Sequence, residues 1–411
     1  MSGSFLEKIL APVVGLLRRK ERFFVVEVMA NGVRATPFVL DADERELKIF
    51  PAVAPKKNEP LAAFARRLVG RKNAGMMLAI DGGVATTVQG AVEIPHPGAV
   101  LDDAALENVI AQAMWKLFDR ERARAATKMN VPASEVTIAD ARIVNIALDG
   151  RDAIAPVGYR AAQVEVRLSL TMMPREAAEV FAEAFSRNVF AMSEASVSWA
   201  RLLWTAAPQG HRMLCAGLLS DGVAIATADA DGARYHDAFQ WSEEELISGV
   251  ANALAVTSDI ARYVVRAVRE ERGTSPLFAK KVHGIIGAEL QLLLNGLGEA
   301  LSRTGASAVR VLASYDIPRM LFAATLKNAA RRTVKILPVM AEDIGKHFGF
   351  TLQWKMSEGR AAMPNGRQAY TPAIISFFDA YIAPARDSEN AIARQRVRWL
   401  LKNGEGTHTY G

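Results

Sequence analysis

A chain of 411 residues with 50% hydrophobic and 23% charged side chains is too long for one core and too apolar for a disordered protein, so about two to four folded units are expected. The net charge of +6 resides at the ends: residues 1–22 carry five basic and two acidic side chains, and residues 385–411 carry five and three, which leaves a body too neutral for a broad nucleic-acid surface. The lone cysteine, Cys215, excludes an internal disulfide and suits a reducing compartment, and the six scattered histidines show no metal-ligand spacing, so no metal is predicted.

Residues 4–20, SFLEKILAPVVGLLRRK, have helical periodicity. Phe5, Leu6, Ile9, Leu10, Val13, Val14, Leu16 and Leu17 share one half of the wheel, and Glu7, Lys8, Arg18 and Arg19 the other. Pro12 bends such a helix. Charges within the apolar part, followed by a basic cluster, argue against a secretory leader, and no run reaches the roughly 18–20 apolar residues of a spanning helix. Two readings stay open: a helix packed on the protein's own body, or an interfacial helix with its cations at lipid headgroups.

Residues 23–80 read as strand, turn at Asn31-Gly32, strand, a third strand over Glu44 to Pro51, a helix over Leu61 to Leu68, and a strand over Met76 to Ile80. Asp81-Gly82-Gly83-Val84-Ala85-Thr86-Thr87 has the glycines and threonines of a phosphate loop. It lies between two expected strands, where a plain hairpin is the other reading. Asp102-Asp103 opens a long helix from Ala104 to about Lys128, its acidic first turn suiting the helix dipole. The stretch Ala141 to Met172 is strand, Asp149-Gly150 turn, a loop through Pro156-Val157-Gly158, and a strand in which Val164, Val166, Leu168 and Leu170 alternate with Gln163, Glu165, Arg167 and Ser169.

Next come a helix over Pro174 to Ser186, a short strand over Val189 to Ala191 and a helix over Ser193 to Ala206. A second series runs from His211: strand, turn at Ser220-Asp221-Gly222, strand, then a helix from a Ser242/Glu245 capping box through about Glu271. Phe278 to Thr304 is helical, Val309 to Ala313 a strand, Pro318 to Ala330 a helix, Thr333 to Leu337 a strand and Thr371 to Tyr381 a helix. In Asn390 to Lys402, Ile392, Val397, Trp399, Leu400 and Leu401 share most of one side, and Arg394, Arg398 and Lys402 line the other. That segment is either an amphipathic membrane helix or a solvated basic tail.

Leu-Asp-Gly at 148–150, then Ile154-x-Pro156-Val157-Gly158 and an alternating strand, resembles the inserted subdomain of the FtsA-type bacterial actins, which the pilus-assembly actins of the PilM type share. The resemblance covers roughly Phe23 to Pro384. It implies an α/β, actin-like (ribonuclease H-like), two-lobed ATPase fold with an FtsA-type inserted α+β subdomain. The implied divisions are an N-terminal helix (1–22), a first lobe (23–80 and 173–207), the insert (81–172), a second lobe (208–384), and a linker with a basic amphipathic tail (385–411).

In that family ATP and Mg²⁺ sit between the lobes, on a D-x-G before the first hairpin turn and a D-x-G-x-x-T-T in the second lobe. Aligned here, Glu27 and Met29 take the first aspartate and glycine, and Gly217 and Leu219 the second pair. Phe239-Gln240-Trp241 and Ser314-Tyr315 stand where the Gly-Gly pairs belong. No cofactor is therefore expected, nor a catalytic residue. Glu27 and Asp221 read as surface turn residues. The resemblance implies a cytoplasmic adaptor or scaffold, peripheral on the inner membrane through its C-terminal helix, and the charge and apolar pattern of both ends suggest that the two helices together hold it to an anionic surface. It also implies protein partners of a division or envelope complex, and self-association through the insert around Arg167. An ATP-binding division or pilus-assembly actin and a soluble interaction module are the alternatives.

Overall fold

The computed structural model describes residues 20–29, 32–69, 74–185, 189–205, 211–218, 222–230, 232–269, 275–313, 321, 324–327, 330–355, 367–382 and 387–403. The expected N-terminal helix, with Phe5, Leu6, Ile9, Leu10, Leu16, Leu17, Arg18 and Arg19, lies outside them, as do Leu219, Asp221, Ser314 and Tyr315.

The chain opens with β1 (Lys20–Met29) and β2 (Gly32–Asp41), antiparallel with Met29 opposite Gly32. Gly32 thus begins the second strand where the hairpin connection ends, and its φ of 134° is one that glycine tolerates. β3 (Glu46–Ile49), α1 (Leu61–Val69) and β4 (Gly75–Ile80) follow, β4 running parallel to β1. The insert comprises β5 (Thr86–Pro95), α2 (Asp103–Met129), β6 (Val136–Leu148), β7 (Arg151–Asp152) and β8 (Gln163–Pro174). Its strands form an antiparallel sheet in the order β5-β8-β6-β7, with α2 packed on the apolar face. Asp149, at φ 47°, does more than turn the chain: its carboxylate accepts from the backbone N–H of Ala162 and Gln163 and so fixes the start of β8. α3 (Arg175–Phe185) leads to β9 (Val189–Glu194), parallel to β4, and α4 (Ala195–Thr205).

The second lobe contains β10 (Met213–Leu218), β11 (Val223–Asp229), β12 (Gly232–Phe239), α5 (Glu243–Leu254), α6 (Ser258–Arg269), α7 (Pro276–Thr304), β13 (Ala308–Ala313), β14 (Thr325–Lys327), β15 (Thr333–Pro338) and α8 (Ala341–His347). Then come β16 (Thr351–Trp354), α9 (Thr371–Phe377) with a π-helical continuation over Phe378–Ile382, and α10 (Asp387–Asn403). The Ser242/Glu245 capping box opens α5 as expected. The single helix expected through Glu271 is two, broken where Ala255 takes a left-handed conformation, φ 54°. β12 is an edge strand with exposed residues on both faces, so it has no apolar alternation to read. The helix expected over Pro318 to Ala330 is corrected at Thr325–Lys327, which pair as a strand with β15.

The two large sheets have the orders β16-β3-β2-β1-β4-β9 and β12-β11-β10-β13-β15-β14. Each contains an antiparallel three-strand meander followed by two parallel strands, in relative order 3-2-1-4-5. That order, given twice in one chain, is the duplicated ribonuclease H-like unit of the actin-like fold. β16 departs from the expected division at 208–384: it leaves the second lobe and pairs in parallel with β3 of the first. One core runs through both lobes, from Phe23 and Phe38 through Trp199 and Phe377 to Cys215 and Leu312. Burial pushes the Cys215 thiol up to about 12, so it packs as an inert apolar group. Among the described residues no helix is long and apolar enough to cross a membrane.

Candidate functional site

Glu27 and Met29 near the end of β1, and Gly217 near the end of β10, are the described residues that the resemblance aligns with the family's phosphate loops. Glu27 and Arg34 are directly paired across the β1–β2 ladder, so their side chains share one face. Glu27 is 1% exposed, which corrects its reading as a surface turn residue. Arg34 grips it with both arms: Nε donates to Oε2 at 2.6 Å and Nη2 to Oε1 at 2.9 Å, while Nη2 also donates to the Ala369 carbonyl at 3.0 Å. Burial works against the charge on Arg34, but the attraction of Glu27 outweighs it and the guanidinium pKa is raised. Met29 is half-buried and packs on the core that spans the lobes. Gly217 lies in β10 against Trp199 of α4, whose Nε1 donates to Ser376 Oγ of α9 at 3.3 Å. The absence of a side chain at 217 is therefore used for packing across the lobes.

The Asp81–Thr87 segment closes a turn and feeds β5. Asp81 Oδ1 accepts from the Gly83 N–H at 2.8 Å. Its threonines face a residue that sequence reasoning missed, Glu194 at the end of β9, which is wholly buried. Glu194 accepts from the Thr87 N–H at 3.0 Å and from Ser196 Oγ at 2.7 Å, and pairs with Lys128 Nζ at 3.0 Å. Lys128 in turn sits 3.6 Å from the ring centroid of Tyr235 in β12. Burial lowers the Lys128 pKa against the pull of Glu194. A β-carbon at Gly82 would approach Glu194 Oε1 to 3.1 Å. The glycine and threonines thus accommodate and solvate an internal carboxylate at the junction of the first lobe, the insert and the second lobe. The only signal in the sequence was a single glutamate with a serine two residues on.

A second buried cluster joins the insert to the helices between the lobes. Asp379 accepts from Arg201 Nε at 2.7 Å and from Ser198 Oγ at 2.8 Å, and Arg142 lies 3.3 Å away. Burial alone would raise the Asp379 pKa, but Arg201 and Arg142 hold it below the ordinary value. Asp140 accepts from the Met192 N–H, and its pKa is raised, because burial prevails over Arg394 at 4.0 Å.

Arg394 belongs to α10, which packs on β6 and α2 of the insert. Ala393 and Val397 are buried in the insert's core, and Ile392 is partly buried against it. This corrects the expectation of a free apolar face at Ile392 and Val397. Arg396 pairs with Glu107 at 2.7 Å. Arg398, Trp399, Leu400 and Lys402 lie on the same helix. Arg167 lines a cavity between the insert and the second lobe of its own chain. Among the described residues no group of three or more His, Cys, Asp or Glu is placed to hold a metal ion.

No protein-family model and no curated protein matches the chain. Solved structures of similar form include a PilM-PilN type IV pilus biogenesis complex, with 12% identity, 88% of this chain and 99% of that chain covered, and a TM-score of 0.45. The cytoplasmic domain of EpsL, an inner membrane component of the type II secretion system of Vibrio cholerae, is similar at 11% identity over 88% and 96%, TM-score 0.33. The ethanolamine utilization protein EutJ from Carboxydothermus hydrogenoformans is similar at 10% identity over 88% and 90%, TM-score 0.35. The fold assignment itself rests on the two 3-2-1-4-5 sheets.

Proposed function

We propose that this protein is an actin-like adaptor that recruits protein partners at an anionic membrane surface and does not use ATP in the conventional way. The observation that carries the reading is the Glu27–Arg34 pair. The acid aligned with the family's metal-associated aspartate is buried and already neutralised by a guanidinium. A cation at that place repels Mg²⁺, and its removal would leave a buried charge unpaired. The setting we propose is a membrane-linked assembly such as those to which the PilM-PilN complex and EpsL belong. The burial of Ile392, Ala393 and Val397 favours a variant of this reading in which α10 is part of the body and membrane contact falls to residues 1–19.

Hydrogen–deuterium exchange with and without Mg-ATP tests the proposal. Exchange in segments 20–41 and 213–229 is expected to be unchanged. Protection of both segments by micromolar Mg-ATP would place nucleotide between the lobes and overturn it.

A further inference from the structure

Where β5 of the insert meets β12 of the second lobe, a cavity of about 400 Å³ opens between them. Its basic lining is Arg124, Lys128, Arg167, Arg234 and His236 against one carboxylate, Glu121. That acid is already paired with Arg120 at 3.2 Å. Lys128 is committed to Glu194, and Arg167 leans on Glu165 at 3.8 Å. Arg124 and Arg234 are exposed, and their guanidinium groups form no hydrogen bond or ion pair with a described residue. The cations act on one another as well: burial first, then Arg234, Arg303, Arg212 and Arg124, lower the His236 pKa.

A second feature of the same wall is a donor without an acceptor. Gln89 Oε1 accepts from the Ala233 N–H at 2.7 Å, which ties β5 to β12 and fixes which end of the amide is oxygen. The opposite end, Nε2, is buried without a hydrogen-bond partner. A buried amide N–H left unpaired is destabilising, and an incoming acceptor would satisfy it.

We propose that this cavity binds a small phosphate-bearing anion through Arg124, Arg234 and the Gln89 amide, joining the inserted subdomain to the second lobe. Guanidinium groups match phosphate oxygens two at a time, and the cavity lies within the usual range of small-molecule sites, roughly 300–1,000 Å³. A cluster of cations around one cavity, rather than an extended basic stripe, favours a compact anion over an acidic polypeptide.

Titration calorimetry of the full chain with inorganic pyrophosphate at low salt, with hexa-aspartate as the competing probe, tests this. Saturable one-to-one binding of pyrophosphate is expected. It should weaken about tenfold or more in Arg124→Ala and in Arg234→Ala, and further in the double variant. Both side chains are exposed, so the melting temperature without ligand should not change. Exchange protection by pyrophosphate should appear in segments 86–95 and 232–239. Absent saturable binding, binding indifferent to both substitutions, or hexa-aspartate binding more tightly than pyrophosphate would each overturn the proposal.

Discussion

The indole of Trp199 lies against the backbone of Gly217, so closely that a β-carbon there would collide with ring atoms Cζ3 and Cε3. Trp199 comes from the first lobe and Gly217 from the second, and the contact sits inside the core the lobes share. Gly217→Ala is therefore an overpacking substitution and should destabilise by about 1–3 kcal/mol, read as a lower urea midpoint. Trp199→Leu in the same chain should recover part of that loss, because the two positions are coupled. An unchanged midpoint in the single variant would contradict the contact.

Asp379 should govern part of the acid sensitivity. Its folded pKa lies below the ordinary aspartate value of 3.8. Between the two values the unfolded chain binds more protons, so the stabilisation is complete above the unfolded pKa and disappears as pH falls through the folded one. Asp140, shifted upward, acts oppositely: its share of stability falls as pH rises above 3.8. Asp379→Asn removes the first effect and leaves Arg142 and Arg201 unpaired in the interior. It should cost about 3–5 kcal/mol at neutral pH and flatten the stability profile at the acid end. Urea midpoints from pH 7 to 3 check it, and a parallel downward shift at every pH would refute the titration argument.

Breaking one side of the Glu194–Lys128 pair should cost more than removing both. Glu194→Gln keeps hydrogen-bonding capacity toward Thr87 and Ser196 but strands the ammonium of Lys128, with an expected loss of about 3–5 kcal/mol. Adding Lys128→Met should return a good part of it. If the two losses simply add in a double-mutant cycle, the pair is not coupled.

The elements that bury an alternating or helical apolar face were readable. These include β8, with Val164, Val166, Leu168 and Leu170 turned inward, and α2, capped by Asp102 as its first turn suggested. Harder to read were elements whose existence depends on distant chain. β16 is four residues that are a strand because β3 offers an edge, and β12 shows almost no apolar face. At the candidate site the sequence showed which residue types stood at the aligned positions, but not what they touch. Arg34 lies seven residues from Glu27 and meets it only through hairpin register. Glu194 lies more than a hundred residues from its threonine partners. Buried charge is located by tertiary contact, which no local period encodes.

The last prediction concerns the two ends. Residues 1–22 and 385–411 hold +5 of the +6 net charge, and each has an apolar side suited to a membrane surface. Of the two apolar sides, the structure describes the one in α10. In α10, Ala393 and Val397 are spent on the insert's core, and Arg394 and Arg396 on Asp140 and Glu107. Asn390 also supplies a backbone need: its Oδ1 accepts from the Ile143 N–H at 2.7 Å, beside the irregularity in β6 between Ile143 and Asn145. Removing residues 387–411 should therefore open the insert, with faster exchange in 136–148. Asn390→Ala alone should cost about 1–3 kcal/mol, since the Ile143 N–H is left without its acceptor. Flotation with anionic vesicles should instead follow residues 1–19. Cations near an anionic surface contribute about 1 kcal/mol each, and burial of leucine, isoleucine and phenylalanine side chains adds an unscreened apolar term. Salt should then weaken flotation without abolishing it. Trp399→Glu with Leu400→Glu should leave flotation close to that of the intact chain. A chain lacking residues 1–19 that floats as well as the intact protein would show that lipid contact lies elsewhere, and an intact protein that never floats would show that these segments serve the fold or a protein partner rather than lipid.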